Sequence, residues 1–186
     1  ALTVEADDGR VFATRGVFRG EKLDRQDIPP HLAQAIVAIE DRRFYSHWGI
    51  DLRGLARAAW RNLRGGGVRE GASTLTQQYV RMIALSQEKT LHRKIQEALL
   101  AFRAERTMSK DEILTAYLNT AYFGAGAYGV DAAARRYFGH PAKSVTLPEA
   151  AMLAGLVRAP SSLAPTRNFG GAKERADLVL QTMVDT

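Results

Sequence analysis

The sequence predicts a mostly α-helical fold, on the basis of three helix-start signals and a helical spacing of apolar residues. Capping boxes, in which a Ser or Thr is followed three residues later by Glu or Gln, occur three times: Thr74 with Gln77, Ser109 with Glu112, and Thr146 with Glu149. Apolar residues recur every three or four positions in most segments after Pro29. No repeat or composition break divides the 186 residues, which predicts a single domain.

The first region of the chain differs from the rest. Residues 1–28 mix Thr, Val and Phe with the turn-prone segment Asp7-Asp8-Gly9, so we expect a short extended arm or hairpin packed on the domain. The main domain then covers 29–186. Its first helix is expected from His31 to about Arg42, behind a Pro-Pro pair that suits a first helical turn.

Two further segments have the apolar spacing of a helix. The segment from Leu52 to Leu63 predicts a helix that ends before three consecutive glycines. The segment from Thr90 to Arg106 predicts an amphipathic helix, whose apolar stripe consists of Leu91, Ile95, Leu99 and Phe102.

Composition limits the partners of the chain. It has 26 basic and 20 acidic residues, a formal net charge of +6 and a pI near 9.8, which favours an anionic partner. Nucleic acid, phosphate-bearing substrates and acidic lipid headgroups all fit that charge. No apolar run reaches the roughly 18 residues of a membrane span, and cysteine is absent. Because the chain begins without Met, we expect a piece excised from a longer protein.

Glu40 stands at the edge of an apolar helical face. It lies one turn after Ile36, so a half-buried carboxylate is expected there, in a position to take a proton from a hydroxyl. The alternative is a surface acid that pairs, like Asp41, with Arg42 and Arg43.

Glu97 lies opposite the apolar stripe of its segment, with Arg93 and Lys94 one turn before it. One interpretation is an intrahelical salt-bridge ladder, although a base that precedes an acid is the weaker orientation for helix stability. The other is a polar cluster that holds a phosphate and a metal ion. The residues alone leave both open.

The segment GASTLTQQYVRM places hydroxyl and amide side chains at a helix start, where free N–H groups and the helix dipole attract anions. Ser73, Gln77 and Gln78 are suited to contacting sugars or phosphates. The alternative is that these side chains cap the helix or form ordinary polar surface.

Several common sites are disfavoured. Gly124, Gly126 and Gly129 match G-x-G-x-x-G, but a helix rather than a strand precedes them, so a dinucleotide site is rejected and a tight loop is expected. The four histidines are scattered without the pairing of a zinc site. No G-x-S-x-G segment or cysteine nucleophile points to acyl transfer.

Five segments, taken in order, resemble the motifs of peptidoglycan glycosyltransferases, the domain of class A penicillin-binding proteins and of monofunctional transglycosylases. The first motif, E-D-x-x-F-x-x-H-x-G-x-D, is matched by EDRRFYSHWGID. The second to fifth are matched by GASTLTQQYVR, RKIQEALLAFRAE, ILTAYLNTAYFGAGAYGVDAAARRYFG and LPEAAMLAGLVRAPSSLAP. The resemblance covers residues 35–165, most of the chain.

The resemblance implies a lysozyme-like, mostly α-helical fold, with a head lobe and a smaller mobile lobe around a long cleft. It implies an enzyme that polymerises lipid II into β-1,4-linked glycan strands, with inversion and release of undecaprenyl pyrophosphate. The implied location is the outer face of the bacterial cytoplasmic membrane, on the periplasmic side, with the anchor outside this chain. The growing glycan strand, the membrane surface and, in a bifunctional parent, a C-terminal transpeptidase domain are the implied partners; nucleic acid is not.

Two carboxylates are the catalytic residues that the resemblance implies. Glu40 matches the base that deprotonates the acceptor's 4-hydroxyl. Glu97 matches the second carboxylate, which assists pyrophosphate departure directly or through a divalent cation such as Mg2+ or Mn2+. The implied substrate-binding residues are Ser73, Gln77, Gln78, Arg81, Lys89, Arg93 and Lys94. Arg81 stands where the family usually has Lys, so a forked guanidinium replaces a point charge.

Leucines and a tryptophan stand among arginines between about Asp51 and Gly71. This pattern suits an amphipathic surface that faces the bilayer, with its basic residues at the lipid headgroups. The alternative is ordinary core packing with a solvated basic face.

Two other functions stay open at this stage. A lytic, lysozyme-like muramidase that acts on finished glycan would share the fold and one catalytic Glu, but the basic cluster around Glu97 argues against it because a hydrolase has no pyrophosphate to hold. A helical nucleic-acid-binding module would explain the pI and would not depend on Glu40 or Glu97.

Overall fold

The computed structural model describes residues 2–5, 11–15, 18–63, 73–84 and 90–185, without the side chains of residues up to Arg19 and of residues 58, 59 and 61–63. Over these ranges the chain is mostly α-helical, which confirms the predicted fold class. The helices are α1 Pro30–Glu40, α2 Leu52–Leu63, α3 Leu75–Ala84, α4 Leu91–Thr107, α5 Lys110–Thr120, α6 Val130–Phe138, α7 Leu147–Leu156, α8 Pro160–Leu163 and α9 Phe169–Val184. The division into one domain stays a prediction.

Short strands occupy the N-terminal region. Strands β1 Leu2–Glu5 and β2 Val11–Arg15 form an antiparallel pair in which Leu2 lies opposite Arg15. Strand β3 Phe18–Arg19 pairs in parallel with β4 Ala127–Tyr128, which precedes α6.

Side chains of α5 and α6 bind the chain just after β3. The Asn119 side chain accepts the N–H of Leu23 at 2.9 Å and donates to its carbonyl at 2.8 Å. The buried Asp131 accepts the N–H of Glu21 at 2.9 Å. We call this group of contacts, together with the β3–β4 pair, the N-terminal clamp.

All three predicted capping boxes are present. Thr74 and Gln77 exchange hydrogen bonds between backbone N–H groups and side-chain oxygens, at 3.0 and 3.1 Å. The other two boxes, at Ser109 and Thr146, start α5 and α7. These caps confirm that the helix starts follow from local sequence.

A single cluster of buried apolar side chains forms the core, and helices α1, α5, α6, α7 and α9 contribute to it. Helix α7 packs on α1 and α9. At Gly155 a Cβ atom would lie 2.8 Å from Cγ of Arg175, so only glycine permits this approach of α7 to α9. The core therefore fixes α1, the helix that ends in Glu40.

Helix α4 packs on α3 and α5 in an orientation that the apolar stripe did not predict. Leu91 is 83% exposed and Ile95, Leu99 and Phe102 are exposed as well, whereas Glu97 is fully buried. Glu97 does form the intrahelical ion pair with Lys94 that the salt-bridge interpretation expects, but it is buried and also pairs with Arg81 of α3, so a ladder within α4 alone does not describe it. Leu52 and Leu55 of α2 are also exposed, which contradicts ordinary core packing for them.

The glycine-rich segment forms the expected tight loop. Gly124, Gly126 and Gly129 have φ angles of 91°, 79° and 85°, in the region that side chains rarely adopt. A Cβ at Gly124 would lie 2.2 Å from the carbonyl oxygen of Pro160. In the described ranges, no helix has both the length and the apolar character needed to cross a bilayer.

Candidate active site

Glu40 is the last residue of α1 and its side chain is half buried. Its Oε2 accepts a hydrogen bond of 2.9 Å from Nε2 of Gln78 on α3, and Oε1 of Gln78 accepts one of 3.3 Å from the Tyr117 hydroxyl. Burial, and secondarily the charge of Glu40, raise the pKa of Tyr117 well above its ordinary value. Tyr117 therefore keeps its proton and acts as the donor that orients the Gln78 amide.

Contacts of the neighbouring charged residues exclude a surface ion pair as the reason for Glu40 and Asp41. Arg42 donates to the carbonyl of Thr182 at 3.4 Å, and Arg43 pairs with Asp51 at 3.3 Å. Asp41 is buried instead.

The buried Asp41 carboxylate connects two parts of the site. His47 Nε2 lies 3.0 Å from both of its oxygens, and Oδ2 also accepts the N–H of Leu75 at 2.9 Å. Leu75 is the first residue of α3, so Asp41 places a negative charge at the positive end of that helix. The end of α1 is thereby joined to the start of α3.

Glu97 is buried between two cationic side chains. Its Oε1 lies 2.5 Å from Nζ of Lys94, which also donates to Oγ of Ser73 at 2.9 Å. Its Oε2 lies 3.8 Å from a guanidinium nitrogen of Arg81 and has no hydrogen-bond partner among the described residues. A buried carboxylate is costly unless it is paired, and these two cations supply that pairing.

Helix α3 contacts both carboxylates. Gln78 and Arg81 are three residues apart and lie on one face of the helix. Gln78 offers Glu40 a neutral amide, and Arg81 offers Glu97 a positive charge. The two carboxylates therefore have different electrostatic surroundings on one scaffold.

The remaining sequence-predicted residues have varied positions. Gln77 is buried and its Oε1 accepts the N–H of Thr74, so it serves as a cap, and its substrate contact stays a prediction. Arg93 is half buried, and its Nε has no hydrogen-bond partner within the described ranges. Lys89 lies outside the described residues.

Two residues of the site were missed by the sequence analysis. Tyr117 occupies a buried position of α5, where an aromatic residue normally indicates only core packing. Arg175 of α9 is half buried beside Glu40: burial, and then Arg158, lower its pKa, while Glu40 opposes that shift. No local sequence signal links Arg175 to Glu40, because 134 intervening positions separate them.

The profile of the protein family described as Transglycosylase matches residues 8–184. The chain belongs to the transglycosylase family. The match confirms the resemblance found in the five motifs and supports a glycosyltransferase, and it does not favour the lytic muramidase.

Relatives of this transglycosylase are larger proteins. It is 46% identical to penicillin-binding protein 1A of Neisseria flavescens over 184 residues. The aligned region covers 99% of this chain and 23% of the relative. Identity to penicillin-binding protein 1A of Vibrio cholerae serotype O1 is 43%, over 99% of this chain and 22% of the relative. The chain thus spans about a quarter of the length of these relatives.

A solved structure has a similar fold. The crystal structure of penicillin-binding protein 1A from Haemophilus influenzae superposes on this transglycosylase with a TM-score of 0.55 and 24% sequence identity. The superposed region covers 98% of this transglycosylase and 18% of the crystallised chain. The likeness supports the mostly α-helical fold implied by the motifs. Movement of the smaller lobe stays a prediction.

Proposed function

We propose that this transglycosylase polymerises lipid II into β-1,4-linked glycan strands, with inversion and release of undecaprenyl pyrophosphate. The observation that carries the proposal is the different setting of the two carboxylates. Glu40 is half exposed and touches a neutral amide, whereas Glu97 is buried between Lys94 and Arg81. The reaction needs a base at the acceptor hydroxyl and positive charge at the leaving group, which are the two settings found.

Glu40 is the base in this proposal. It takes the proton of the acceptor's 4-hydroxyl while that oxygen forms a bond to the anomeric carbon of the growing chain. The bond from that carbon to the pyrophosphate oxygen breaks, and its electron pair leaves with the pyrophosphate. Attack from the opposite face converts the α linkage to β. Because Gln78 donates to Oε2, we assign proton transfer to Oε1.

Lys94 and Arg81 stabilise the negative charge of the leaving pyrophosphate in this proposal. Glu97 contacts both cations and holds them on one side of the site. Ser73 adds a hydroxyl next to Lys94, and Arg93 and Lys89 add further positive charge along the chain. Preorganised charges of this kind stabilise a transition state without having to reorient.

A divalent cation at the pyrophosphate, Mg2+ or Mn2+, is a further proposal. In the described ranges, no three His, Asp or Glu side chains are grouped as metal ligands would be. Glu97 is a single carboxylate already flanked by two cations, so the residues do not fit a metal bound directly by the protein. We therefore place any such ion on the pyrophosphate oxygens and derive no step through it.

The substitution Glu40→Gln tests the proposal with lipid II in detergent. Loss of a general base is expected to lower the polymerisation rate by about 10² to 10⁴, while the amide keeps an oxygen for Gln78 and the fold stays intact. Glu174→Gln, at an exposed carboxylate of α9, is the matched control and should polymerise normally. Soluble muropeptides from purified cell wall, without polymer from lipid II, would contradict the proposal and favour the muramidase.

Exposed apolar residues of α2 and α4 support a further proposal, that this surface contacts the membrane. We define the apolar surface as Leu52, Leu55, Trp60, Leu91, Ile95, Leu99 and Phe102, all of them exposed. The α4 side chains and Ile50 line a groove of about 360 Å³ that reaches Lys94. A lipid-linked substrate would then place its chain against these side chains and its pyrophosphate near Lys94.

Vesicle binding tests the apolar surface. Leu99→Glu is expected to weaken co-sedimentation with vesicles of anionic phospholipid, because it puts a charge in the middle of the surface. Leu178→Glu, at an exposed leucine of α9, is the control and should bind as the unsubstituted protein does. If Leu99→Glu and Leu178→Glu lower vesicle binding equally, the proposal that α4 contacts the membrane is contradicted.

The location and wider architecture complete the proposal. We propose that the enzyme works at the cytoplasmic membrane, because its proposed substrate is carried by a membrane lipid, and on the outer face that the motif resemblance implies. Because the relatives are about four times longer than this chain, we propose that a transpeptidase domain accompanies it in the parent protein. Nucleic acid has no part in the proposed reaction.

A further inference from the structure

We propose that Lys110 and Glu105 are positioning residues: they hold the first turn of α3 against the loop that follows α1, and so fix the hydrogen bond between Gln78 and Glu40. This inference rests on the proposed function, because it concerns the same base. It does not place either residue in contact with substrate.

Lys110 and Glu105 form an ion pair that is largely removed from water. Nζ of Lys110 lies 2.6 Å from Oε1 of Glu105, and their side chains are 20% and 4% exposed. Desolvation offsets much of the attraction in such a pair, so stability alone explains it poorly. Both side chains also make hydrogen bonds to other segments of the chain, and these bonds give the pair a positioning role.

Lys110 binds the loop after α1. Its Nζ donates to the carbonyl oxygen of His47 at 2.6 Å and lies 4.6 Å from the centre of the Phe44 ring. Both residues belong to the segment between Glu40 and α2. Lys110 therefore fixes that segment from the start of α5.

Glu105 binds the start of α3. Its Oε1 accepts a hydrogen bond of 2.6 Å from Oγ1 of Thr76. The two residues before Thr76 are held by the loop itself: Thr74 Oγ1 donates to the carbonyl of Gly49 at 2.6 Å, and the N–H of Leu75 donates to Asp41. Three consecutive residues of the α3 start are thus tied to the same loop or to the Lys110–Glu105 pair.

This attachment determines where Gln78 lies. Gln78 follows Thr76 by two residues on a rigid helix, and its amide is held between Glu40 and Tyr117. Displacement of the first turn of α3 would move Gln78 away from Oε2 of Glu40. Small displacements near a reacting group cost large factors in rate, about 10² for 1 Å.

Thr76→Val tests the inference, because it removes the hydroxyl that Glu105 accepts and keeps the shape of the side chain. We expect kcat for lipid II polymerisation to fall about tenfold or more with KM nearly unchanged, and Thr76→Ser, which keeps the hydroxyl, to restore it. Lys110→Met is expected to reproduce the loss, and if it does not fold, the Thr76 variants still decide. Unchanged kcat in Thr76→Val would overturn the inference.

Thr115 provides the matched control. It is a threonine of α5 whose Oγ1 is buried and has no hydrogen-bond partner in the described part of the chain. Thr115→Val should leave kcat unchanged. If Thr115→Val lowers kcat as much as Thr76→Val does, removal of any buried threonine hydroxyl of this region explains the loss, and the inference fails.

A double-substitution cycle separates positioning from a merely structural role. If the pair acts through Gln78, Thr76→Val should cost little further kcat in a Gln78→Ala background. If the fold-loss of kcat in the double variant equals the product of the two single-variant losses, Thr76 acts independently of Gln78, and the inference is overturned. Failure of the unsubstituted protein to polymerise lipid II would instead contradict the proposed function.

Discussion

Helices α1 and α4 each carry one carboxylate of the site, and they place it in opposite ways. In α1 the apolar residues Leu32 and Ile36 are fully buried and Glu40 lies half exposed at the edge. In α4 the apolar residues Leu91 and Ile95 are exposed and Glu97 is fully buried. Helix α1 buries its apolar face and exposes its polar face, as helices on the surface of a globular protein do. Helix α4 exposes its apolar face and buries its polar face.

The difference shows that an amphipathic pattern predicts which residues share a face of a helix. It does not predict which of the two faces is buried. The apolar face of α1 meets α7 and α9, whereas that of α4 packs against no core cluster among the described residues and fits the lipid contact proposed for it. The buried face of α4 can be polar because Lys94 and Arg81 neutralise Glu97. Substitutions on the two helices should therefore have different consequences.

After Glu40→Gln, whose expected loss of rate is the largest, the next largest effect is expected from Glu97→Gln. Loss of the charge leaves Lys94 and Arg81 without their shared partner, so we expect polymerisation to fall by about 10² to 10³. Stability should fall far less, by about 1 kcal/mol, because both cations are partly exposed to water and can be solvated. Initial rates with lipid II, together with urea denaturation, measure the two quantities. An unfolded variant, or one with unchanged rates, would contradict the distinction.

Substitution of the apolar residues to alanine compares the two helices directly. Ile36→Ala is expected to lower the free energy of unfolding by about 2 to 5 kcal/mol, because it leaves a cavity in the core. Ile95→Ala, at the exposed face of α4, should change it by about 0.5 kcal/mol or less. Chemical denaturation of both variants gives the comparison. A similar loss in both would mean that protein covers the apolar face of α4.

Asp131 sharpens the comparison, because it is a buried carboxylate whose two oxygens are both paired, unlike those of Glu97. Burial opposes its ionisation, but hydrogen bonds from Arg135, Ala142 N–H and Glu21 N–H outweigh that effect and lower its pKa. Asp131→Asn is expected to cost about 2 kcal/mol of stability at pH 7, because an amide donor then faces donors.

The pH dependence follows from the lowered pKa of Asp131. Its contribution is complete above the unfolded-state pKa of about 3.9 and is lost as the pH falls through the lower folded-state pKa. The difference in melting temperature between the unsubstituted protein and Asp131→Asn should therefore be largest at pH 7 and shrink below about pH 4. A difference that grows with acidity would have the wrong sign.

The smallest effect is expected at His140, far along the chain from both carboxylates. Hydrogen bonds to Glu149, and also to the Pro141 carbonyl, raise the pKa of His140. Its stabilising contribution is therefore complete below the unfolded-state pKa of about 6.5 and is lost as the pH rises through the folded-state value. His140→Gln should lower the melting temperature slightly at pH 6 and not at pH 9. His92→Gln, at an exposed histidine, is the control.

Local signals in the sequence were enough for the helix starts and for much of the site. The capping boxes at Thr74, Ser109 and Thr146 are properties of four-residue segments, and the predicted bounds of α2 equal those observed. The half-buried position of Glu40 followed from its spacing to Ile36. These features depend on neighbours along the chain.

Contacts between distant segments could not be predicted. The buried face of α4 depends on Arg81 of α3, and the orientation of Gln78 depends on Tyr117 of α5. The electrostatic influence of Glu40 on Arg175 crosses from α1 to α9. Each of these pairings depends on how helices pack, which periodicity does not encode.

The N-terminal clamp has a mechanical consequence. A tension applied at the N-terminal end of the chain would load the short β3–β4 pair in shear, together with the hydrogen bonds of Asn119 and Asp131, before it reached α1. These contacts lead the force into α5 and α6. Glu40 would thus stay in register with Gln78 while the end of the chain is pulled.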